Sequence, residues 1–517
     1  MLTDTTKKLT RFSRSALAAL LAGGLLFSSA LAQPGSTGEL RALVQQEPDN
    51  AYAWTQLGDA YLEQAEFEAA REAFQEAIAL DYRQVDAHFG LGLAEYNRGD
   101  YQAALFSFSE TARLAPERFD GHYNLGVTQA RLRMHAEAAE SFRAALDSLA
   151  PEATFEDEFN TWLGLAGQLK LTGEFDAAAE AYEAAIELEP DDREVRYLHA
   201  EALYRAGRGL EALPLLTDLD DSANEDYRVP ALIADVYLEQ GQTDYALSSL
   251  QRAIRKAEEN GSASVQAGVH IRLGLLQRDL GRAADALASF QRAAAVDPAS
   301  WQAHYNLGLS YLEAGRISES ITPLETAVVQ APASGEARLA LATAYDQAGS
   351  AAEALEQAES ALSLLNDELL RVQARFLAGR SEYHLGDYQA AAGHLAIVVE
   401  ARPGDPQAQL WAGLTEYQRG DYGAAAQYYE RAVQLAPASR EARANLAAAY
   451  LADARYTDAE FIYLELIELD PQDRQSHYNL GWALLSQNRR AAARDAFQAA
   501  AALDYAPAAE ALAEYFQ

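Results

Sequence analysis

A glycine or alanine returns at a fixed place about every 34 residues along most of this 517-residue chain. A period of that length admits few folds, because each period must be one supersecondary unit and the units must stack to bury a shared core. On a 34-residue frame, repeats begin at 51, 85, 119, 159, 193, 227, 267, 301, 335, 372, 406, 440 and 474. The eighth place of these thirteen repeats holds Gly58, Gly92, Gly126, Ala166, Ala200, Ala234, Gly274, Gly308, Ala342, Gly379, Gly413, Ala447 and Gly481. Twelve places later stand Ala70 and its equivalents, broken only by Ser320 in the eighth repeat.

Spacing inside a repeat is helical. Residues 51–64 put Trp54, Leu57, Gly58 and Tyr61 on one face, and residues 68–81 do the same with Ala70, Phe74, Ala77 and Ile78. Segments of three to four turns are too short to persist alone in water, so the helices must be held by one another. Small residues let the pair close up while aromatic side chains fill the space beside them. Pro116, Pro190, Pro298, Pro332, Pro403, Pro437 and Pro471 end second helices, since proline cannot continue the hydrogen-bond ladder. No heptad runs unbroken through these stops, which excludes a coiled coil.

The frame slips three times, by six residues at 153–158, six at 261–266 and three at 369–371. Each slip follows a third repeat, as a duplicated three-repeat cassette would give; insertions tolerated between helices are the competing reading. Residues 249–260 and 355–370 lack an early stop, so those second helices are expected to run long. The fifth repeat has His199 where Leu is usual, Leu219 for the late Ala and no closing Pro, and should be the least regular. Residues 33–50 read as a half-repeat cap with a lone helix over Leu40–Glu47. The array closes at 507, and 508–517 reads as a capping helix.

The order Trp54-Thr-Gln-Leu57-Gly58-Asp-Ala-Tyr61, followed by Ala70, Phe74 and Ala77, resembles the W-x2-L-G-x2-Y…A-x3-F pattern of the tetratricopeptide repeat (TPR) family. The resemblance spans 51–507. It implies an all-α fold, an α-solenoid built as a right-handed superhelix of about 13 helix-turn-helix repeats, with the first helices lining a concave surface. The second, fifth, ninth, twelfth and thirteenth places then face inward. They carry Tyr52, Phe89, Tyr96, Tyr123, Tyr197, Tyr204, Tyr305, Phe376, Tyr383, Tyr417, Tyr478 and Trp482. Tyr and Trp offer large contact area at low entropic cost, so these rings are the candidate partner-binding face, with packing between repeats as the competing reading. The carboxylate clamp of chaperone-binding members is not supported, for no repeat has Lys or Arg at the fifth place or Asn at the ninth. The inward Asn ladder known from O-linked N-acetylglucosamine transferase is matched only by Asn124, Asn306, Asn445 and Asn479. Of these, Asn445 and Asn479 could act as a short C-terminal pair.

Charge narrows the partners. The formal net charge is −36, and such a surface repels phosphate backbones and anionic lipids, whose binding relies on Lys and Arg. No cysteine is present, which removes disulfides, thiolate metal sites and Cys nucleophiles. Residues 1–32 place Lys7, Lys8, Arg11 and Arg14 before the apolar run Ala16–Phe27, and then Ala30 and Ala32 in an A-x-A cleavage site. That order reads as a secretory signal peptide in preference to an uncleaved anchor.

Catalytic signatures are missing: there is no G-x-S-x-G, H-E-x-x-H, Walker loop or dinucleotide fingerprint. His88, His122, His270, His304 and His477 share the fourth place of their repeats, as packing residues would. Asp218–Asn224 resembles a calcium loop only faintly, lacking the turn Gly and the closing Glu. The expected protein is therefore a non-catalytic scaffold or adaptor without cofactor or metal. It would be exported to the periplasm, the cell envelope or the medium, with no stable membrane span after signal cleavage. Its partners would be other proteins or peptides and not nucleic acid, with self-association possible. The alternative is a dedicated component of an envelope machine for pilus assembly or exopolysaccharide export.

Overall fold

The computed structural model describes residues 36–149, 153–221 and 225–516; the basic–apolar leader and its cleavage site lie outside them. Every regular element among the described residues is an α-helix, 28 in all, from Thr37–Gln46 to Ala506–Tyr515. None of these helices is long and apolar enough to cross a membrane.

The second repeat shows how the sequence makes a hairpin. Val85–Asn97 forms its first helix and Tyr101–Leu114 its second. At the turn, the Gly99 N–H donates to Tyr96 O and the Asp100 N–H to Glu95 O, both at 2.9 Å, so carbonyls left over at the helix end are satisfied. The Asp100 side chain then caps the second helix by accepting from the Ala103 N–H at 3.3 Å. The turn requires a left-handed residue at the fifteenth place. Nine repeats put glycine there, and the other four strain Ala65, Arg133, Ala454 and Asn488 into φ of 56° to 61°. A side chain in that region costs about 1–2 kcal/mol, part of which glycine returns as chain entropy. Arg133→Gly is thus expected to stabilise the third repeat by about 1 kcal/mol, read as a higher denaturant midpoint for that hairpin's amides.

Close approach of the paired helices is set at the eighth and twenty-fourth places. A Cβ added at Gly58 would lie 2.6 Å from the Phe74 ring, and at Gly274 and Gly481 equally close to Phe290 and Phe497. In two places the next repeat closes on such a ring as well: a Cβ on Gly90 would meet Phe74 at 2.2 Å, and one on Gly164 would meet Phe142 at 2.9 Å. Phe74, Phe108, Phe142, Phe290 and Phe497 are accordingly all but fully buried. Phe74 and Phe142 therefore each belong to two repeats, which is how short helices come to share one core.

The described chain divides into two compact halves, one ending at Asn260 and the other beginning at Gly261. In the first, a continuous core runs from Phe89 to Val236, beside a smaller one from Leu40 to Ala94. In the second, the largest core extends from Leu410 to Ala511. Thr37–Gln46 buries Leu40 and Val44, and Ala506–Tyr515 buries Ala508 and Ala511, so both end helices cover apolar faces.

All three slips end up in one place. The first helices that follow them, Phe155–Thr172, Ala263–Asp279 and Glu368–Leu385, have 18, 17 and 18 residues, against 13 in Ala51–Glu63. Of the two second helices expected to run long, Thr243–Asn260 does so with 18 residues. The other does not: Ala351–Leu364 stops after 14. Asp367 is the reason, because its carboxylate accepts from the Leu369 and Leu370 N–H groups at 2.8 and 3.1 Å and starts the next helix there. The fifth repeat is irregular as expected, its second helix Gly209–Leu219 having only 11 residues with Pro214 inside.

Candidate protein-binding face

The rings assigned inward by their place in the repeat meet three different fates. Phe89, Tyr96 and Tyr123 are core residues, 5%, 8% and 2% exposed, and offer no open ring face; their assignment to the binding surface is corrected. The Arg118 guanidinium lies 4.4 Å above Phe89 and is held by Asp86 and Asp120, each at 2.6 Å. Tyr96 is edge-on to Tyr101 at 5.0 Å, and Tyr123 to Phe142 at 5.7 Å. Arg228 covers Tyr197 in the same way as Arg118 covers Phe89, 4.5 Å above its ring and paired with Glu194 and Asp226.

Tyr478 and Trp482 are taken by the C-terminal helix. Tyr478 packs edge-on to Tyr505 at 5.1 Å and to Phe497 at 5.7 Å, and Trp482 to Tyr515 at 5.3 Å. They seat the cap and, like the rings that follow, stay half-buried.

Tyr204, Tyr305, Phe376, Tyr383 and Tyr417 remain half-buried, with part of each ring reaching solvent, and Tyr52 is well exposed. Tyr383 and Tyr417 are steadied across their hairpin turns by Tyr388 and Tyr422, with centroids 5.4 and 5.1 Å apart. Trp411 joins Tyr383 edge-on at 5.4 Å and also meets His384 at 5.4 Å, while the Arg380 guanidinium sits 4.7 Å over its ring. Arg380 is fixed by Asp346 at 3.2 Å. Trp411 occupies a sixth place, the place that carries Asn445 and Asn479 in the next two repeats. The available signal was its bulk at a place where Gly90 and Gly164 must be bare.

Of the asparagines, Asn124 and Asn306 are buried, whereas Asn445 and Asn479 are half-buried, and Asn479 Oδ1 accepts from Gln475 Nε2 at 3.2 Å. At the other end, burial pushes the Asp59 carboxyl up to about 7, with repulsion from Asp86 and Glu63 adding and Arg118 opposing. Near neutrality this stretch is thus less negative than its formula implies.

Fourth-place residues have a role that the sequence did not reveal. Nε2 of His88, His122, His304 and His477 lies 2.9–3.1 Å from the carbonyl oxygen six residues earlier, on Tyr82, Pro116, Pro298 and Pro471. Trp54, Arg338 and Gln409 donate to Pro48, Pro332 and Pro403 in the same register. These side chains tether the turn between repeats. In the calcium-like stretch, Asp220 is 7% exposed at its side chain and receives Arg252 Nε at 2.9 Å and Lys256 Nζ at 2.6 Å; residues 222–224 lie outside the description. Among the described residues no group of three or more His, Asp or Glu is placed to hold a metal.

A stack of helix hairpins sharing rings between neighbours is an α-solenoid, a class whose exposed first-helix face is available to other molecules. Tetratricopeptide repeat models match residues 55–108, 99–153, 172–226, 271–335, 310–368, 339–406, 376–440, 416–477 and 475–507. The chain belongs to the tetratricopeptide repeat family. Similar solved structures include the APC/C hetero-tetramer Cut9-Hcn1, with 14% identity and a TM-score of 0.36 over 93% of this chain and 99% of that one. A tetratricopeptide repeat protein from Parabacteroides merdae matches at 17% identity and a TM-score of 0.35, over 50% of this chain and 99% of that one. The C-terminal part of a TPR repeat-containing protein from Cytophaga hutchinsonii matches at 15% identity and a TM-score of 0.38, over 48% and 99%. No curated protein matches the sequence.

Proposed function

We propose that this protein is a non-catalytic scaffold that acts outside the cytoplasm and binds extended segments of other proteins along its first-helix face. The observation that carries the reading is the set of half-buried rings left on first helices in the second half, Tyr305, Phe376, Tyr383, Trp411 and Tyr417. Rings held on rigid helices with one side wet give contact area at little further entropic cost, as protein-binding faces need. Asn445 and Asn479, one repeat apart, add side-chain amides that can bond a partner's backbone. The strongly acidic surface opposes nucleic acid as a ligand.

Export rests on the leader, whose basic, apolar and A-x-A order supports cleavage after Ala32. N-terminal sequencing of the exported protein is expected to begin at Gln33; an intact Met1 on a membrane-bound product would overturn the export reading. Affinity capture of the tagged full chain from an envelope fraction tests the scaffold. A partner whose retention falls on Tyr417→Ala supports it, and capture unaffected by every ring substitution on this face would refute it.

A further inference from the structure

One buried slot recurs along the array, where the eleventh place of a first helix meets the twenty-third place on its second. Ser107 Oγ donates to Glu95 Oε2 at 2.7 Å, and Ser141 and Ser289 donate to Gln129 and Gln277, both at 2.6 Å. Each of these slots is a hydroxyl donor matched to one acceptor. In the tenth repeat the same two places hold Glu382 and His394, and the nearest approach, His394 Nε2 to Glu382 Oε1, is 3.6 Å. That is beyond a hydrogen bond.

The surroundings are poorly satisfied. Glu382 is 6% exposed and its Oε2 has no partner; neither do His394 Nδ1 and the adjacent Ser381 Oγ. None of the six residues in the three hydroxyl slots carries such an orphaned atom. Unpaired buried polar atoms are costly, so finding them on both members of the pair marks this slot as less well closed than the three hydroxyl slots.

Three ionisable groups bear on the pair, and those on the remaining neighbouring helices are engaged elsewhere. Glu359 on Ala351–Leu364 bears on both residues, Asp387 in the hairpin turn bears on Glu382, and Arg375 on the same first helix bears on His394. On Gly335–Ala348, Asp346 is engaged by Arg380; on Pro406–Arg419, Arg419 is engaged by Glu416 and Gln389.

We propose that the Glu382–His394 slot is a proton-operated joint, in which one proton held by the pair closes the tenth hairpin and its loss loosens it. With the proton on Glu382, its carboxyl O–H donates to the imidazole as serine donates elsewhere and no negative charge is buried; a neutral imidazole keeps one N–H of its own, so the proton's loss is felt as charge. Without it, a buried carboxylate faces Glu359 and Asp387. Burial, reinforced by Asp387 and Glu359, pushes Glu382 up to about 7. A carboxyl raised in the fold gives a contribution that is complete at acid pH and lost as pH rises through that value. His394 is lowered by burial first and then by Arg375, with Glu359 opposing. An opened hairpin regains the imidazole's ordinary basicity, which offsets part of the gain from Glu382 on acidification.

The test is amide hydrogen exchange on the full chain, comparing protection in 376–399 with that in 410–432 so that intrinsic rates cancel. Between pH 6 and pH 8 the ratio is expected to fall about threefold in the unaltered protein. H394S recreates the Glu–Ser slot of the second repeat and removes the offset, so its fall should steepen to about tenfold. E382Q/H394S recreates the Gln–Ser slot of the third and seventh repeats, should fold as they do, and should show no dependence. A ratio unchanged by pH in the unaltered protein overturns the proposal. So does a dependence that persists in E382Q/H394S, or one no steeper in H394S.

Discussion

Phe142→Ala is expected to cost about 3–5 kcal/mol, as a core aromatic does, and to do so locally. Phe142 is 1% exposed and lies between two bare glycines, Gly126 of its own repeat and Gly164 of the next. A cavity collapses only if its lining can move in, and glycines have no side chain to move. Tyr123, edge-on at 5.7 Å, is itself buried and committed to the same cluster. Because each repeat touches only its neighbours, the loss should stay with the third and fourth repeats. Hydrogen exchange is expected to collapse in 119–188 and to stay unchanged in 410–502. A uniform loss across both segments would mean that the array unfolds as one body.

Tyr417→Ala and Trp411→Ala should each weaken partner binding by about 2 kcal/mol or more, roughly thirtyfold in affinity. Both rings are half-buried on Pro406–Arg419, so truncation removes contact area without opening the deep core. Glu356→Ala, on the exposed side of a second helix, should leave affinity within about twofold, since rim charges act mainly on encounter rate and its salt dependence. The measurement is a titration of the captured partner at low and high salt. Affinity that survives both ring truncations but is abolished by salt would move the site to the acidic outer surface and imply a basic partner.

Helix pairs, their close contact at the eighth place, the irregular fifth repeat and both end helices were legible because each follows from local chemistry repeated at fixed spacing. What stayed hidden depends on a neighbour. Whether a fifth-place ring is open turns on the arginine that the following turn or helix supplies: Arg118 closes Phe89 and Arg228 covers Tyr197. That Tyr478 and Trp482 also carry the last helix, through Tyr505 and Tyr515, is likewise a neighbour's doing. Trp411 lies outside the five inward places, and a frame cannot say where one repeat has space that the others lack. The helix before Asp367 ends without a Pro or Gly, because the next helix's N-cap sets the boundary.

The tether between repeats has a consequence for how such an array can vary. Tryptophan, histidine, arginine and glutamine all serve at the fourth place because the task asks only for an N–H at the right reach from a carbonyl six residues back. Selection at that place acts on a chemical function shared by unlike side chains. Copies can therefore drift apart in spelling while the joint they form is preserved, and a consensus drawn letter by letter will undervalue the place. An engineer could exploit the same freedom by writing a different donor into each copy, giving every turn its own probe without disturbing the stack.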